Sequence, residues 1–174
     1  RIYAERQLGK TLSEAQAQAI YDEKARIFHQ MPEAEIFDGV HDLMAKIKQA
    51  GISICVVTGS GQRPLIARLL HDFGDYIDEH HIVSAYNVSR GKPAPDPYLK
   101  GLEFAGGMKP WEGIVVENAP MGVRAGVAAN IFTIGVNSGP LPDKALADEG
   151  ANMVLPSIRE LCNQWDALTA HHQL

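Results

Sequence analysis

Apolar residues recur in two alternating patterns along most of this chain. Short unbroken runs at 52–57, 82–85, 113–116, 131–135 and 152–155 have the length of strands and lack the polar alternation of a half-exposed one. Between them lie segments of helical period, near 63–73, 96–105, 121–129 and 142–148, with a last one at 157–169. Pro64 stands where a first helical turn tolerates it, and Gly74 and Gly106 stand where helices end. Short strands alternating with helices predict a parallel sheet with right-handed crossovers, an α/β fold.

The first part of the chain does not share this alternation. Ser13-x-x-Gln16 reads as a capping box, and Ala17, Ile20, Tyr21, Ile27 and Phe28 line one side of the helix that follows, with Lys24 interrupting the stripe. Pro32 is expected to stop that helix, and Met31–Phe37 reads as a linker. A second helix is expected from Gly39 to Ala50, with Val40, Leu43, Met44 and Ile47 on one face and Gly51 as its stop. The expected division is therefore 1–37 as a separate helical cap with its linker and 38–174 as the α/β core.

Composition narrows the picture little. With 174 residues, 45% hydrophobic and 21% charged, the chain has room for one domain with a core and a small appendage. A net charge of −5 with no long basic run argues against a nucleic-acid partner. Cys55 lies in an apolar strand and Cys162 in a helix pattern, so the two read as small buried hydrophobes rather than a disulfide framework. No apolar run approaches the ~18 residues of a membrane span, and no signal peptide is evident. Together these features lead to the expectation of a cytoplasmic monomer without a membrane partner.

Chemistry concentrates at strand ends, where open α/β sheets bind ligands. Ile114-Val115-Val116 ends in Glu117-Asn118-Ala119-Pro120-Met121-Gly122, and the acid and amide offer oxygen ligands for a hard cation such as Mg²⁺. The plainer alternative is an Asx-type turn, with Glu117 paired to Arg124. Thr58-Gly59-Ser60-Gly61-Gln62 follows the 52–57 strand and precedes a helix. Its glycines let backbone N–H groups approach an anion and its hydroxyls add donors, although a turn that merely needs glycine and a cap looks the same. Gly91-Lys92-Pro93-Ala94-Pro95-Asp96-Pro97 follows the 82–85 strand and presets the lysine's backbone with its prolines. A rigidly aimed ammonium suits growing negative charge, and a surface lysine in a stiff loop is the alternative; Asp96 reads as a helix cap. The adjacent pairs His80-His81 and His171-His172 lack the spacing of a helical zinc site. No Gly-x-Gly-x-x-Gly follows a strand, since Pro64 takes the third glycine's place after Gly59 and Gly61, which disfavours a dinucleotide-binding domain.

Taken in order, three segments resemble motifs of the haloacid dehalogenase superfamily, in its β-phosphoglucomutase-like phosphatase branch. Val56-Val57-Thr58-Gly59-Ser60 resembles the motif whose hydroxyl binds the transferring phosphoryl group. Lys92 in Gly-Lys-Pro-x-Pro resembles the charge-balancing cation. Val116-Glu117-Asn118-Ala119-Pro120-Met121-Gly122 resembles the acidic loop that helps hold Mg²⁺. The resemblance implies a Rossmann-like parallel sheet with a partial α-helical cap. It implies Thr58 and Lys92 as catalytic residues, Gly59, Ser60, Gln62 and Arg63 as substrate-binding ones, and Asn118 with Glu117 at the metal. A small phosphorylated metabolite is the implied partner.

Two departures qualify it. Asn118 stands where the motif often has an aspartate; an amide brings no charge, so weaker Mg²⁺ binding is expected than with Asp. The family's Asp-x-Asp nucleophile segment is absent, as no Asp-x-Asp occurs in the chain. The strand that would carry it is the family's central one, flanked by strands matching 52–57 and 113–116. Its absence would leave two buried strand edges, at roughly 1–3 kcal/mol per unpaired group. These residues are therefore expected to be the later part of a longer chain and to be inactive alone. The implied activity is Mg²⁺-dependent hydrolysis of a sugar phosphate or pyrophosphate through an aspartyl-phosphate. A β-phosphoglucomutase-type mutase is the alternative, and a non-catalytic phosphoryl-binding domain is a third reading if the chain truly starts at Arg1.

Overall fold

The computed structural model describes residues 5, 8–31 and 34–170, and the expectations placed on Arg1, Pro32 and His171-His172 fall outside them. The chain divides into two compact units, residues 1–36 and 37–174. In the first unit, helix α1 (Glu14–Gln30) starts at the anticipated capping box. Gln16 N donates to Ser13 Oγ at 3.2 Å and Ser13 N donates to Gln16 Oε1 at 3.0 Å. Ala19, Ile20, Ile27, Phe28 and Met31 line a shallow apolar groove along α1, with Glu23 and Lys24 at its side.

The second unit alternates as its sequence pattern predicts. Helix α2 (Val40–Gln49) is followed by β1 (Val56–Val57), α3 (Arg63–Phe73), β2 (Ile82–Val83), α4 (Asp96–Phe104) and β3 (Ile114–Glu117). Helix α5 (Pro120–Ala128), β4 (Phe132–Val136), α6 (Lys144–Ala147), β5 (Met153–Leu155) and α7 (Ile158–Thr169) complete it. Every strand pairing is parallel, which makes this an α/β fold. The strands form two sheets, β1-β2 and β3-β4-β5, and among the described residues β1 and β3 are not paired with each other.

That split explains where the strand lengths differ from the apolar runs. Of the 52–57 run only Val56 and Val57 find ladder partners, opposite Ile82 and Val83. Ile52 N instead closes the turn after α2 on Ile47 O at 3.1 Å. Strand β3 is not covered on both faces as its apolar run suggests: Val115 is buried, but Val116 is 39% exposed.

Two clusters hold the unit together. Leu43 of α2 packs with Ile134, Val136 and Leu155 of the sheet and with Leu161, Cys162 and Trp165 of α7. Tyr98 of α4 packs with Val115, Ala125, Ala129 and Ile131, with Val57 and Leu102 against them. Helix α4 thus touches residues of both sheets. The cysteines are free, Cys162 buried and Cys55 half-buried, and burial pushes the Cys55 thiol up to about 11. Among the described residues no helix is long and apolar enough to cross a membrane.

Gly39 sits at φ +87°, and a Cβ there would lie 2.8 Å from Arg159 Cα and 2.9 Å from Arg159 N. Gly39→Ala is expected to cost at least about 2 kcal/mol, from left-handed strain plus overpacking against α7. Gly51, at φ +74° with nothing within 4 Å of its added Cβ, supplies the control for strain alone. Urea unfolding measures the difference: the Gly39→Ala midpoint should fall clearly further than that of Gly51→Ala, with m unchanged.

Candidate functional site

The loop after β1 is ordered by its own hydroxyls. Thr58 N extends the β1-β2 ladder by donating to Val83 O at 2.9 Å. Thr58 Oγ1 then accepts from Ser60 N at 3.1 Å, and Ser60 Oγ accepts from Gln62 N at 3.2 Å. Two successive hydroxyl-closed turns therefore deliver the chain to Gln62, the N-cap of α3, with Arg63 opening the helix and Pro64 in its first turn. Gly59 and Arg63 are exposed and Thr58 and Ser60 half-buried. A Cβ at Gly61 would lie 2.6 Å from Tyr86 Cε2, so a larger residue there would push that ring aside.

One ammonium ties this loop to the end of β3. Lys92 Nζ donates to Val57 O, the carbonyl just before Thr58, at 3.0 Å. It also pairs with Glu117 Oε1. The lysine is 19% and the glutamate 11% exposed at the side chain, so the pair is largely withdrawn from water. Tyr98 OH donates to the same Oε1 at 2.7 Å. Glu117 Oε2 accepts the N–H groups of Asn118 and Ala119 at 3.0 and 3.1 Å. Burial alone would push the Glu117 carboxyl up. Lys92's charge and hydrogen bond, then the Tyr98 hydroxyl and the Ala119 N–H, outweigh it and hold the carboxyl below its ordinary value.

Asn118 is exposed, and its Nδ2 donates to Ser138 Oγ at 3.2 Å, which leaves Oδ1 as the acceptor end. The donor set tests the Mg²⁺ expectation. Both Glu117 oxygens are committed to protein donors, and no group of three or more His, Cys, Asp or Glu among the described residues could hold a metal. Mg²⁺ keeps several waters but takes one or two carboxylates from its protein, and Asn118 Oδ1 is a single neutral oxygen, so the described residues do not fit Mg²⁺ on their own.

Arg124 pairs with Glu149 at 2.6 Å, not with Glu117. Asp96 does not cap α4: Pro95 holds the N-cap position, and Asp96, first in the helix, accepts from Nε and Nη2 of Arg90, each at 2.9 Å. An acid in the first turn satisfies the helix dipole without capping it, and a nearby Arg outbids the backbone. His81 Nδ1 lies 3.5 Å from Asp78, whose carboxylate also accepts from His80 N, so this pair orders a turn.

Two contacts went unnoticed in the sequence. Tyr98 falls inside the 96–105 helix pattern, six residues beyond the lysine of the proline-stiffened loop, and the pattern gives its hydroxyl no partner. Ser138 follows β4 at the same carboxyl edge as Thr58 and Asn118, and strand-end position was the available signal.

Comparison with known proteins shows the family and the fold. A family profile described as haloacid dehalogenase-like hydrolase matches residues 3–136. Hexitol phosphatase A of Escherichia coli is 41% identical over 100 residues, 58% of this chain and 45% of that protein. The β-phosphoglucomutase of Mycobacterium bovis is 33% identical over 139 residues, 74% of this chain and 50% of that one. A Bacteroides vulgatus protein of known structure, named as a candidate β-phosphoglucomutase, superposes with a TM-score of 0.89 at 42% identity, covering 99% of this chain and 70% of its own. The chain spans about half the length of the curated relatives it matches. Its parallel α/β fold, its three strand-end segments and the family match together make it a member of the haloacid dehalogenase-like hydrolases.

Proposed function

We propose that this chain forms most of the core of a phosphatase acting on a small phosphorylated metabolite, with a sugar or polyol phosphate favoured over pyrophosphate. The observation that carries this reading is the state of Lys92. An ammonium has three N–H donors; Val57 O and Glu117 take two, leaving one for a phosphoryl oxygen beside the Thr58 loop. The Thr58 hydroxyl and Gly59 N–H bind further phosphoryl oxygens, while Ser60, Gln62 and Arg63 contact the rest of the substrate. Lys92 stabilises the negative charge that gathers as the nucleophile approaches. Glu117 takes a positioning role, and Asn118 Oδ1 is the oxygen this chain offers toward a metal.

In this reading the nucleophile is an aspartate supplied by residues outside the 174, since the sequence contains no Asp-x-Asp. Its carboxylate attacks phosphorus, the ester P–O bond breaks, and the leaving oxygen takes a proton from a second acid. Water then cleaves the aspartyl-phosphate. A hexitol phosphatase among the relatives supports a polyol or sugar phosphate. The match to the Bacteroides vulgatus protein along nearly the whole chain favours a mutase as the second reading.

The full-length protein should release inorganic phosphate from a panel of hexose 1- and 6-phosphates, hexitol phosphates and pyrophosphate, and Thr58→Val should lower that kcat by about 10²-fold. Phosphate migration within a sugar without release would replace phosphatase by mutase. A panel with neither activity would sink the proposal.

A further inference from the structure

We infer that Tyr98 is a positioning residue for phosphoryl transfer, locking Lys92 in register through Glu117; this rests on the reading of Lys92 given above. One ring engages both members of the ion pair. Its hydroxyl donates to Glu117 Oε1, the oxygen that also receives Lys92, and its face lies 4.8 Å from the Lys92 ammonium. Tyr98 is 7% exposed, so neither contact is diluted by water. Burial, then the neighbouring negative charge and hydrogen bond of Glu117, push its phenol well above its ordinary value, so it stays a donor.

Chain geometry explains why this residue does the holding. Lys92 and Tyr98 belong to one stiff segment: Ala94 N closes on Gly91 O at 3.1 Å and Tyr98 N on Pro95 O at 3.0 Å, with Pro93, Pro95 and Pro97 between. The loop that extends the ammonium therefore also sets the ring against it. Glu117 arrives from β3, 25 residues away in sequence from Lys92. With the phenol in place, both lone-pair directions of Oε1 are filled and the carboxylate has one orientation. Without it, Oε1 keeps only Lys92 as a partner, and any swing of the carboxylate about its Oε2 contacts carries the ammonium with it, which blurs the aim of the remaining N–H; a misplacement of about 1 Å can cost about 10²-fold in rate.

Tyr98→Phe in the full-length protein, assayed with p-nitrophenyl phosphate, tests this while keeping the ring's packing. The expected result is a kcat about tenfold lower, with KM within about twofold and Tm within about 2 °C of wild type. That split marks an interaction realised in the transition state, which a packing role alone would not produce. Wild-type kcat in Tyr98→Phe overturns the inference, as does a kcat loss that only follows a matching fall in Tm. Lys92→Met separates the two levels. If it retains full activity, the phosphoryl-transfer reading itself fails. If it is inactive while Tyr98→Phe turns over normally, that reading stands and the role of Tyr98 falls.

Discussion

Lys92→Met is expected to lower kcat of the full-length enzyme by about 10²–10³-fold and to destabilise the fold by about 3–5 kcal/mol. The first effect follows from removing a preorganised cation where charge develops. The second follows from the partner left behind: Glu117 is 11% exposed, and an acid buried to that degree cannot stay ionised cheaply once its ammonium is gone. Acid-base linkage makes the prediction specific. In wild type the Glu117 carboxyl lies below its ordinary value, so its stabilisation is present above about pH 4.5 and is lost as pH falls through the folded value. In Lys92→Met burial dominates and the carboxyl moves above its ordinary value. The sign then reverses: the variant is penalised at neutral pH and recovers as acid protonates Glu117. Urea midpoints measured in a chelator at pH 7 and pH 4.5 should show the gap between the two proteins narrowing toward the lower pH. A gap independent of pH, or a variant as stable as wild type at pH 7, would show that the pair is not coupled as described.

Gly122→Ala should be the second most damaging change, and its direction runs against helix propensity. In an ordinary helix the substitution gains up to about 1 kcal/mol. Here Gly122 lies in the first turn of α5, and its added Cβ would fall on the Glu117 carboxyl carbon and both oxygens, far inside contact distance. Glu117 must swing away or the first turn of α5 must shift. Either movement breaks the alignment with Lys92 and Tyr98. A loss of about 1–3 kcal/mol is expected from overpacking, with kcat down by about 10²-fold or more. A thermal or urea scan showing stabilisation, with kcat retained, would mean that the carboxylate relaxes into another arrangement at no cost.

The elements were legible because their signals are periodic and local. Helix α3 spans 63–73 as its pattern predicts, and α4, α5 and α7 start or end within a residue of expectation. Strand lengths were not legible, because an apolar run such as 52–57 states only that residues avoid water. Ladder length depends on a neighbouring strand that the run does not encode. The site divides in the same way. Thr58, Lys92, Glu117 and Asn118 could each be picked out as polar residues at the carboxyl ends of apolar strands. Which charge meets which could not. Arg124 stands seven residues from Glu117 and Lys92 twenty-five, yet α5 turns the arginine toward Glu149 and the stiff loop brings the lysine home. Asp96 shows the same limit on a shorter scale, because Arg90 competes with the backbone amides for one carboxylate. The part played by Tyr98 was hidden for a further reason. An aromatic at a core position reads as packing, and nothing in the sequence announces the partner of its hydroxyl.

The separation of β1-β2 from β3-β4-β5 has a consequence for handling the protein. Ladder groups on β1 and β3 that find no mate among the described residues are templates for any extended segment that can dock on them. Produced on its own, the 174-residue polypeptide offers that template to its own copies, so misassembly by intermolecular strand addition competes with monomeric refolding and grows with concentration. A peptide able to pair with β1 or β3 would suppress that aggregation, acting as a chaperone through backbone hydrogen bonds alone.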